Sequence, residues 1–301
     1  MSQMEPYLHA QRLVDIGSRR LNIYCIGMGS PTVVLDAGLG DSSEVWYKVQ
    51  GPISKRARVC SYDRAGMGFS DGAASTRDAS SVVSDLHALL QRAGIAPPYV
   101  LVAHSIAGLY APLYADRYIN EVAGMVLVDP TPPYVYRREA SVAPAAAQLA
   151  KATEESAREC YNASTSGHLV PGDKMYGLCV GNTEPHQHSR WFWYDSMSEV
   201  DSVEGADSAE AQRGQRNYGA LPLIVLTATD TLKNSGMPQA QQLPAWKMWN
   251  AMHDELAKCS SVGVNFVVRD SGHYIQLDRP AAVISAVDEV LDQARARGAA
   301  R

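Results

Sequence analysis

A serine between an apolar run and a helical segment is the residue best suited to covalent chemistry. Ser105 follows the apolar run Val100–Ala103, with one residue, His104, between them. A hydroxyl at such a strand-to-helix turn stands clear of the sheet edge, where it can attack a carbonyl carbon. The usual pattern is G-x-S-x-G, and here the flanking small residues are Ala103 and Ala107. Because alanine adds only a methyl group, we expect the turn to form with a slightly different geometry.

A histidine near the end of the sequence can act as the base for this serine. His273 belongs to the segment Ser271-Gly272-His273, which follows an apolar strand-like run. Pro280 comes shortly afterwards and is suited to the first turn of a helix. From this loop His273 can return to Ser105, accept its proton and later pass that proton to a leaving group. The two motifs together predict nucleophilic catalysis by serine.

A glycine-rich turn after an earlier strand predicts a site for the oxyanion. The apolar run Val33–Asp36 ends in Ala37-Gly38-Leu39-Gly40. Such a turn lets the backbone N–H of Leu39 join that of Ile106 in holding the negative oxygen of a tetrahedral intermediate. The turn fits neither G-x-x-x-x-G-K-[ST] nor G-x-G-x-x-G, so a nucleotide-binding role is disfavoured.

With the loop Tyr62-Asp63-Arg64-Ala65-Gly66-Met67-Gly68-Phe69-Ser70, these motifs resemble the α/β-hydrolase superfamily, in its esterase-like branch. The loop is similar to the D-R-x-G-x-G-x-S sequence of that family, and the resemblance runs from Arg20 to about Leu291 outside an insertion. It implies an α/β fold: a mostly parallel, eight-stranded sheet flanked by helices, a cap after the sixth strand, and a Ser–His–acid triad. Because Ser105 stands where other branches have Asp, the dehalogenase and epoxide hydrolase branches are disfavoured.

The acid of the triad has two candidates. In most of the family it follows the seventh strand, where this sequence has Asp230, although the spacing is about one residue short of the common G-x-x-D. In some members it follows the sixth strand, which selects Asp129. The chain order Ser…Asp…His slightly favours Asp230, and Asp129 stays open as the alternative.

The elements that must position these residues alternate between strands and helices. Between two apolar runs, residues from Val82 to Ala93 recur at helical spacing, and Gly94 follows where a helix would end. This alternation predicts a parallel sheet covered by helices. The predicted strands are Arg20–Ile26, Thr32–Asp36, Arg58–Tyr62, Tyr99–Ala103, Ala123–Val128, Leu223–Thr227 and Asn265–Arg269.

A long stretch of mixed sequence interrupts this pattern. We assign residues 1–133 and 219–301 to a hydrolase core domain and residues 134–218 to a cap or lid insertion. Trp191 and Trp193 of the insertion are predicted to bind substrate, although an aromatic cluster more often forms a small core. His186 and His188 alternate in a polar loop without a third ligand, so neither a metal nor a cofactor is predicted.

Composition narrows the range of partners. The net charge is -5 and no basic cluster occurs, which argues against a nucleic-acid partner. No apolar run approaches the ~18 residues of a membrane span. The chain as given starts without a secretion signal, which predicts a cytoplasmic protein. An exported protein is the alternative if Cys160 and Cys179 form a disulfide and a signal was removed. Cys25 and Cys60, in apolar runs, are predicted to be buried thiols.

The sequence therefore predicts a cofactor-free serine hydrolase that cleaves a carboxylic ester or lactone through an acyl-enzyme. Ser105 is the nucleophile, His273 the base, Asp230 or Asp129 the acid, and the N–H groups of Leu39 and Ile106 the oxyanion donors. Two alternatives stay open. One is carbon–carbon bond hydrolysis or peracid formation by the same residues, and the other is a small-molecule receptor with a hydrolase fold.

Overall fold

The alternating apolar runs form one sheet in a computed structural model, which describes residues 3–73, 75–180, 190–211, 216–233 and 235–299. Its strands are β1 Leu13–Asp15, β2 Arg20–Ile26, β3 Thr32–Asp36, β4 Val59–Tyr62, β5 Tyr99–His104, β6 Val122–Val128, β7 Leu223–Ala228 and β8 Val264–Val268. The spatial order of these eight strands is β1-β2-β4-β3-β5-β6-β7-β8. β1 and β4 pair antiparallel with β2, and the other pairs are parallel.

Helices cover both faces of the sheet. They are α1 Gln50–Ile53, α2 Ala79–Ala93, α3 Ala107–Arg117, α4 Val135–Ala140, α5 Ala145–Thr165, α6 Lys174–Cys179, α7 Arg190–Ser202, α8 Ser208–Ala211, α9 Gln239–Ala257, α10 Ile275–Asp278 and α11 Pro280–Ala299. The largest core cluster contains apolar residues of α2, α3 and α9, and the second largest contains those of α1 and α11. Because β3, β5 and β7 are buried along their whole length between these layers, their carboxyl ends form a rigid edge.

The ends of α2 show how local sequence fixes an element. The Asp78 side chain accepts a hydrogen bond from the Ser81 N–H at 2.8 Å, and the Ser81 hydroxyl pairs with the Asp78 backbone, which forms a capping box. At the other end Gly94 has a φ of 71°, the left-handed conformation that terminates a helix at low cost.

The expected fold class is confirmed, and the seven predicted strands correspond to β2–β8. The first strand, β1, was not predicted, because it has three residues and only Val14 is buried. A segment this short gives no alternation that a pattern search can detect.

Residues 134–218, which are predicted to form the insertion, lie between β6 and β7 in the chain, and their described parts include the helices α4–α8. Cys160 of α5 and Cys179 of α6 form a disulfide, with their Cα atoms 5.4 Å apart. The prediction of buried thiols at Cys25 and Cys60 is wrong: these residues are register partners on β2 and β4, and they form a second disulfide. Cross-strand partners are close enough for such a bond.

Among the helices of the described ranges, none is long and apolar enough to cross a membrane.

Candidate active site

Ser105 lies in the turn between β5 and α3. Its φ is 55°, in the left-handed region that is costly for a residue with a side chain. The Ser105 carbonyl accepts hydrogen bonds from the N–H of Gly108 at 2.8 Å and of Thr131 at 2.7 Å. Gly108 is required for close packing, because a Cβ there would lie 2.3 Å from the Cβ of Pro130. The turn thus places the hydroxyl beyond the carboxyl end of β5.

His273, in the loop between β8 and α10, contacts both Ser105 and a buried aspartate. Its Nε2 lies 2.8 Å from Ser105 Oγ, and its Nδ1 lies 2.7 Å from Asp129 Oδ2. Because Nδ1–H donates to the carboxylate, Nε2 holds the lone pair that can accept the Ser105 proton. This arrangement has the geometry of a Ser–His–acid triad.

Asp129 follows β6 and is fully buried. Its Oδ1 accepts hydrogen bonds from the Ala228 N–H and the Trp249 Nε1–H, both at 3.0 Å. Its Oδ2 accepts from the Thr231 hydroxyl and from His273. Burial alone would raise the pKa of Asp129, but the hydrogen bond and charge of His273 outweigh it, so the pKa lies below its ordinary value.

Asp230, the acid that chain order favours, does not contact His273. Its carboxylate pairs with the Lys233 ammonium at 3.3 Å, and its N–H donates to the Ser271 carbonyl at 2.9 Å. The preference for Asp230 over Asp129 is therefore corrected. The end of β7 and the segment after it instead supply hydrogen-bond donors to Asp129, through the Ala228 N–H and the Thr231 hydroxyl.

The glycine-rich turn lies beside the serine turn, as expected. A Cβ at Gly38 would be 2.9 Å from Nδ1 of His104, the residue before Ser105. The N–H groups of Leu39 and Ile106 have no acceptor within the described parts of the chain. Both are therefore free to bind an external oxygen.

His104 links the two loops that flank the serine. Its ring is fully buried, its Nε2–H donates to the His273 carbonyl at 3.0 Å, and its Nδ1 faces Asp41 Oδ2 at 3.7 Å. Burial lowers the pKa of His104, so the ring is neutral near pH 7. His104 thus binds the backbone of His273 while its ring packs against the glycine-rich turn at Gly38.

The aromatic residues of α7 face different parts of the core. Trp191 lies against Gly72, where a Cβ would be 2.3 Å from the indole Cγ. Phe192 lies over the glycine-rich turn, with its Cζ 3.7 Å from the Cβ position of Gly40. Trp193 is partly buried. Substrate contact by Trp191 and Trp193 stays a prediction, and Phe192 is the residue of the three that contacts the glycine-rich turn.

No group of three or more His, Cys, Asp or Glu side chains suited to a metal ion occurs within the described ranges. His186 and His188 lie outside those ranges.

Three site residues were not found from sequence. His104 precedes Ser105 directly, so its position in the serine turn was an available signal. Thr231 and Trp249 are remote from Asp129 in sequence. The pairing of β6 with β7 brings Thr231 to the carboxylate, and the packing of α9 against β7 brings Trp249.

Comparison with known proteins agrees with this fold. The sequence matches the model of the alpha/beta hydrolase family over residues 33–286. The chain belongs to that family.

One curated relative and two solved structures illustrate the range of that family. Uncharacterized protein YqjL of Bacillus subtilis (strain 168) is 26% identical over 265 residues, which is 88% of this chain and 85% of that protein. A haloalkane dehalogenase loop variant, DbeA-M1 of Bradyrhizobium elkanii, superposes with a TM-score of 0.69 at 17% identity, covering 97% and 98% of the two chains. The enol-lactonase of Burkholderia xenovorans LB400 has a TM-score of 0.61 at 18% identity, covering 93% and 100%. Identities this low establish a shared fold.

Proposed function

We propose that this protein is a serine hydrolase that cleaves a carboxylic ester or lactone through an acyl-enzyme. The observation that supports it best is the continuous contact from Asp129 to His273 to Ser105, at 2.7 and 2.8 Å. These are the distances at which a base can take a proton from a nucleophile while a carboxylate orients that base.

In the proposed first half-reaction, Ser105 Oγ attacks the substrate carbonyl carbon and His273 Nε2 takes the hydroxyl proton. The carbonyl oxygen becomes an anion that the N–H groups of Leu39 and Ile106 bind. The Asp129 carboxylate stabilises the imidazolium without taking its proton. When the carbon–oxygen bond of the substrate breaks, His273 returns the proton to the leaving alkoxide, and the acyl group stays on Ser105.

In the second half-reaction, His273 takes a proton from water and the resulting hydroxide attacks the acyl-enzyme. Collapse of this second intermediate releases the carboxylic acid and returns the proton to Ser105. For a lactone the alcohol and the acid stay in one product molecule, so the same residues serve both substrate classes.

Ser105 argues against the reaction named for the dehalogenase relative. A serine that displaced a halide would form an ether, which water does not hydrolyse under mild conditions, whereas a serine ester is readily hydrolysed. The enol-lactonase relative is consistent with ester or lactone cleavage on this fold.

The two disulfides support an oxidising compartment for the native protein. Structural disulfides persist outside the reducing cytosol. The pairs Cys25–Cys60 and Cys160–Cys179 therefore favour the exported alternative over the cytoplasmic one.

The experiment combines active-site labelling with turnover. A fluorophosphonate should leave one adduct on the Ser105 peptide by mass spectrometry, and wild type should hydrolyse p-nitrophenyl esters or simple lactones. Ser105→Ala should lose both properties, while Ser84→Ala, which changes a surface serine of α2, should keep them. An active wild-type enzyme without a Ser105 adduct would refute the proposal. An adduct and a product burst without steady turnover would indicate a receptor instead.

A further inference from the structure

Arg64, from the loop after β4, is fully buried beneath the glycine-rich turn. Its Nη2 donates to the Gly38 carbonyl at 2.6 Å, and its Nη1 donates to the Ala37 carbonyl at 2.6 Å and to Asp36 Oδ1 at 2.9 Å. The guanidinium therefore holds the turn by two consecutive backbone carbonyls.

The insertion supplies the other ligand of this guanidinium. Glu199 of α7 is also fully buried, and it binds Arg64 in bidentate fashion, with Nε–Oε1 at 2.9 Å and Nη2–Oε2 at 3.0 Å. Bidentate pairing fixes the plane of the guanidinium as well as its position. Without Glu199, the buried guanidinium would keep only the Asp36 carboxylate as an anionic partner. It would then reorient toward another carboxylate or toward water.

The orientation of the Gly38 carbonyl determines that of the Leu39 N–H. The two groups belong to one peptide unit, which is planar, and in a trans peptide they point in opposite directions. When Arg64 Nη2 binds the Gly38 oxygen, the Leu39 N–H must point away from Arg64. The same helix α7 covers the turn on another side, because Phe192 and Ser196 lie within 4.0 Å of the Cβ position of Gly40.

We infer that Glu199 is a positioning residue of the insertion, which acts through Arg64 to aim the Leu39 N–H at the substrate oxyanion. The inference rests on the proposed serine hydrolase function. It makes the insertion part of the catalytic geometry as well as a cover over the site, because one of its side chains fixes a donor that the core alone holds less firmly.

The test compares Glu199→Gln with Glu204→Gln. Glutamine keeps the shape of glutamate but loses the charge and one acceptor oxygen for the guanidinium. Glu204, just after α7, accepts from the Tyr136 N–H at 2.8 Å within the insertion, so its variant is a matched control. The readouts are kcat and KM for an ester, the affinity for a trifluoromethyl ketone, and the melting temperature.

The trifluoromethyl ketone reports on the oxyanion site directly. Ser105 Oγ adds to its carbonyl carbon, the hydroxyl proton passes to His273, and the carbonyl oxygen becomes an anion that the oxyanion donors must bind. Loss of one donor typically costs about 10²–10³ in kcat. Because misalignment is milder than loss, we expect Glu199→Gln to lower kcat about tenfold to a hundredfold, with KM little changed. Affinity for the ketone should fall by the same factor.

The outcomes separate this inference from the proposed function. If wild type forms the Ser105 adduct but Glu199→Gln binds the ketone as tightly as Glu204→Gln does, the positioning role is refuted and the serine hydrolase stands. A purely structural role would lower the melting temperature without a parallel loss of kcat and ketone affinity, and that result also refutes the inference. If wild type forms no Ser105 adduct, both proposals fail. If Glu199→Gln does not fold, Glu199→Asp, which keeps the charge but shortens its reach, should show the same parallel loss.

Discussion

The indole N–H of Trp249 donates to Asp129 Oδ1 at 3.0 Å, deep in the core where α9 crosses the end of β7. Asp129 is thus held by donors from a helix, a strand and the segment after that strand. These three donors, all remote from Asp129 in sequence, keep its carboxylate ionised and fixed against His273. Trp246, on the same helix, donates instead to the Ala228 carbonyl at 2.8 Å, which gives an internal comparison.

Replacement of Trp249 by phenylalanine removes a donor to a buried carboxylate but keeps an aromatic ring. Hydrogen bonds to charged groups contribute roughly 1.5–3 kcal/mol, so we expect Trp249→Phe to lower the free energy of unfolding at pH 7 by about that amount. Trp246→Phe should cost less, because its acceptor is an uncharged carbonyl. Urea unfolding of both variants measures the difference.

The pH dependence of that loss is a second check on Trp249. The pKa of Asp129 is depressed in the folded protein, so its contribution to stability is present above the unfolded value near 4 and is lost as the pH falls through the lower folded value. The gap between wild type and Trp249→Phe should therefore narrow below about pH 4. A gap that stays constant with pH would show that Trp249 acts only through packing.

The identity of the triad acid can be tested by amide substitution. Asp129→Asn should lower kcat by about 10²–10⁴, because an amide cannot hold the required imidazole tautomer or stabilise the imidazolium. Asp230→Asn should change kcat less than about threefold, because Asp230 is paired with Lys233 at the surface. Steady-state kinetics of both variants, with folding checked by circular dichroism, give the ranking, and the reverse ranking would contradict the assignment.

Sequence reasoning identified Ser105, His273 and both aspartates because each follows an apolar strand, and parallel strands place their carboxyl ends together. It slightly favoured Asp230 on chain order, whereas Asp129 is the aspartate that contacts His273. That choice depends on how far β7 extends and on which backbone and indole N–H groups point at each carboxylate, and these are tertiary facts. The same limit applies to Glu199: its partner Arg64 lies in a recognisable loop, but nothing in the local sequence of α7 indicates which core residue it meets.

The cysteine pairs show the same limit. Cys25 and Cys60 each lie in an apolar run, and the predicted burial holds for Cys60, whereas Cys25 is partly buried. Their bonding depends on strand order and register. β2 and β4 are not consecutive in sequence, and only the placement of β4 beside β2 brings the two residues opposite one another.

The disulfides predict a specific pattern of thiol reactivity. Alkylation followed by non-reducing peptide mapping should find the pairs Cys25–Cys60 and Cys160–Cys179, with Cys259 as the free thiol. Burial raises the pKa of the Cys259 thiol, so native protein should be alkylated slowly and denatured protein quickly. Three or five alkylated cysteines, or a pair that includes Cys259, would contradict the assignment.

Loss of the Cys160–Cys179 bond should destabilise the insertion. Closing a loop of this length contributes at most about 3 kcal/mol in the chain-entropy model. The double variant Cys160→Ser/Cys179→Ser should therefore melt at a lower temperature than wild type, with a smaller effect of added reductant. An unchanged melting temperature would show that the bond adds no stability.

A buried carboxyl under α7 predicts how stability varies with pH. Asp195 is fully buried, and its Oδ2 accepts from the Ala73 N–H at 3.1 Å. Burial raises the pKa of Asp195 to about 7, with a further contribution from Glu199, against the lowering effect of the Ala73 hydrogen bond and of nearby arginines. The folded protein thus keeps a proton that the unfolded chain releases near pH 4.

It follows that the contribution of Asp195 is fully present below about pH 4 and is lost as the pH rises through about 7. Asp195→Asn keeps an acceptor for the Ala73 N–H and cannot ionise. As the pH rises from 5 to 8, the melting temperature of this variant should therefore increase relative to that of wild type by roughly 2–5 °C. Asp201→Asn changes an exposed carboxylate of the same helix, and its melting temperature should vary with pH as that of wild type does. Burial also raises the pKa values of Asp207 and Glu139 to about 7, so both variants should keep part of the wild-type decrease in melting temperature with rising pH. Parallel curves for Asp195→Asn and wild type would show that Asp195 is already ionised in the folded protein at neutral pH.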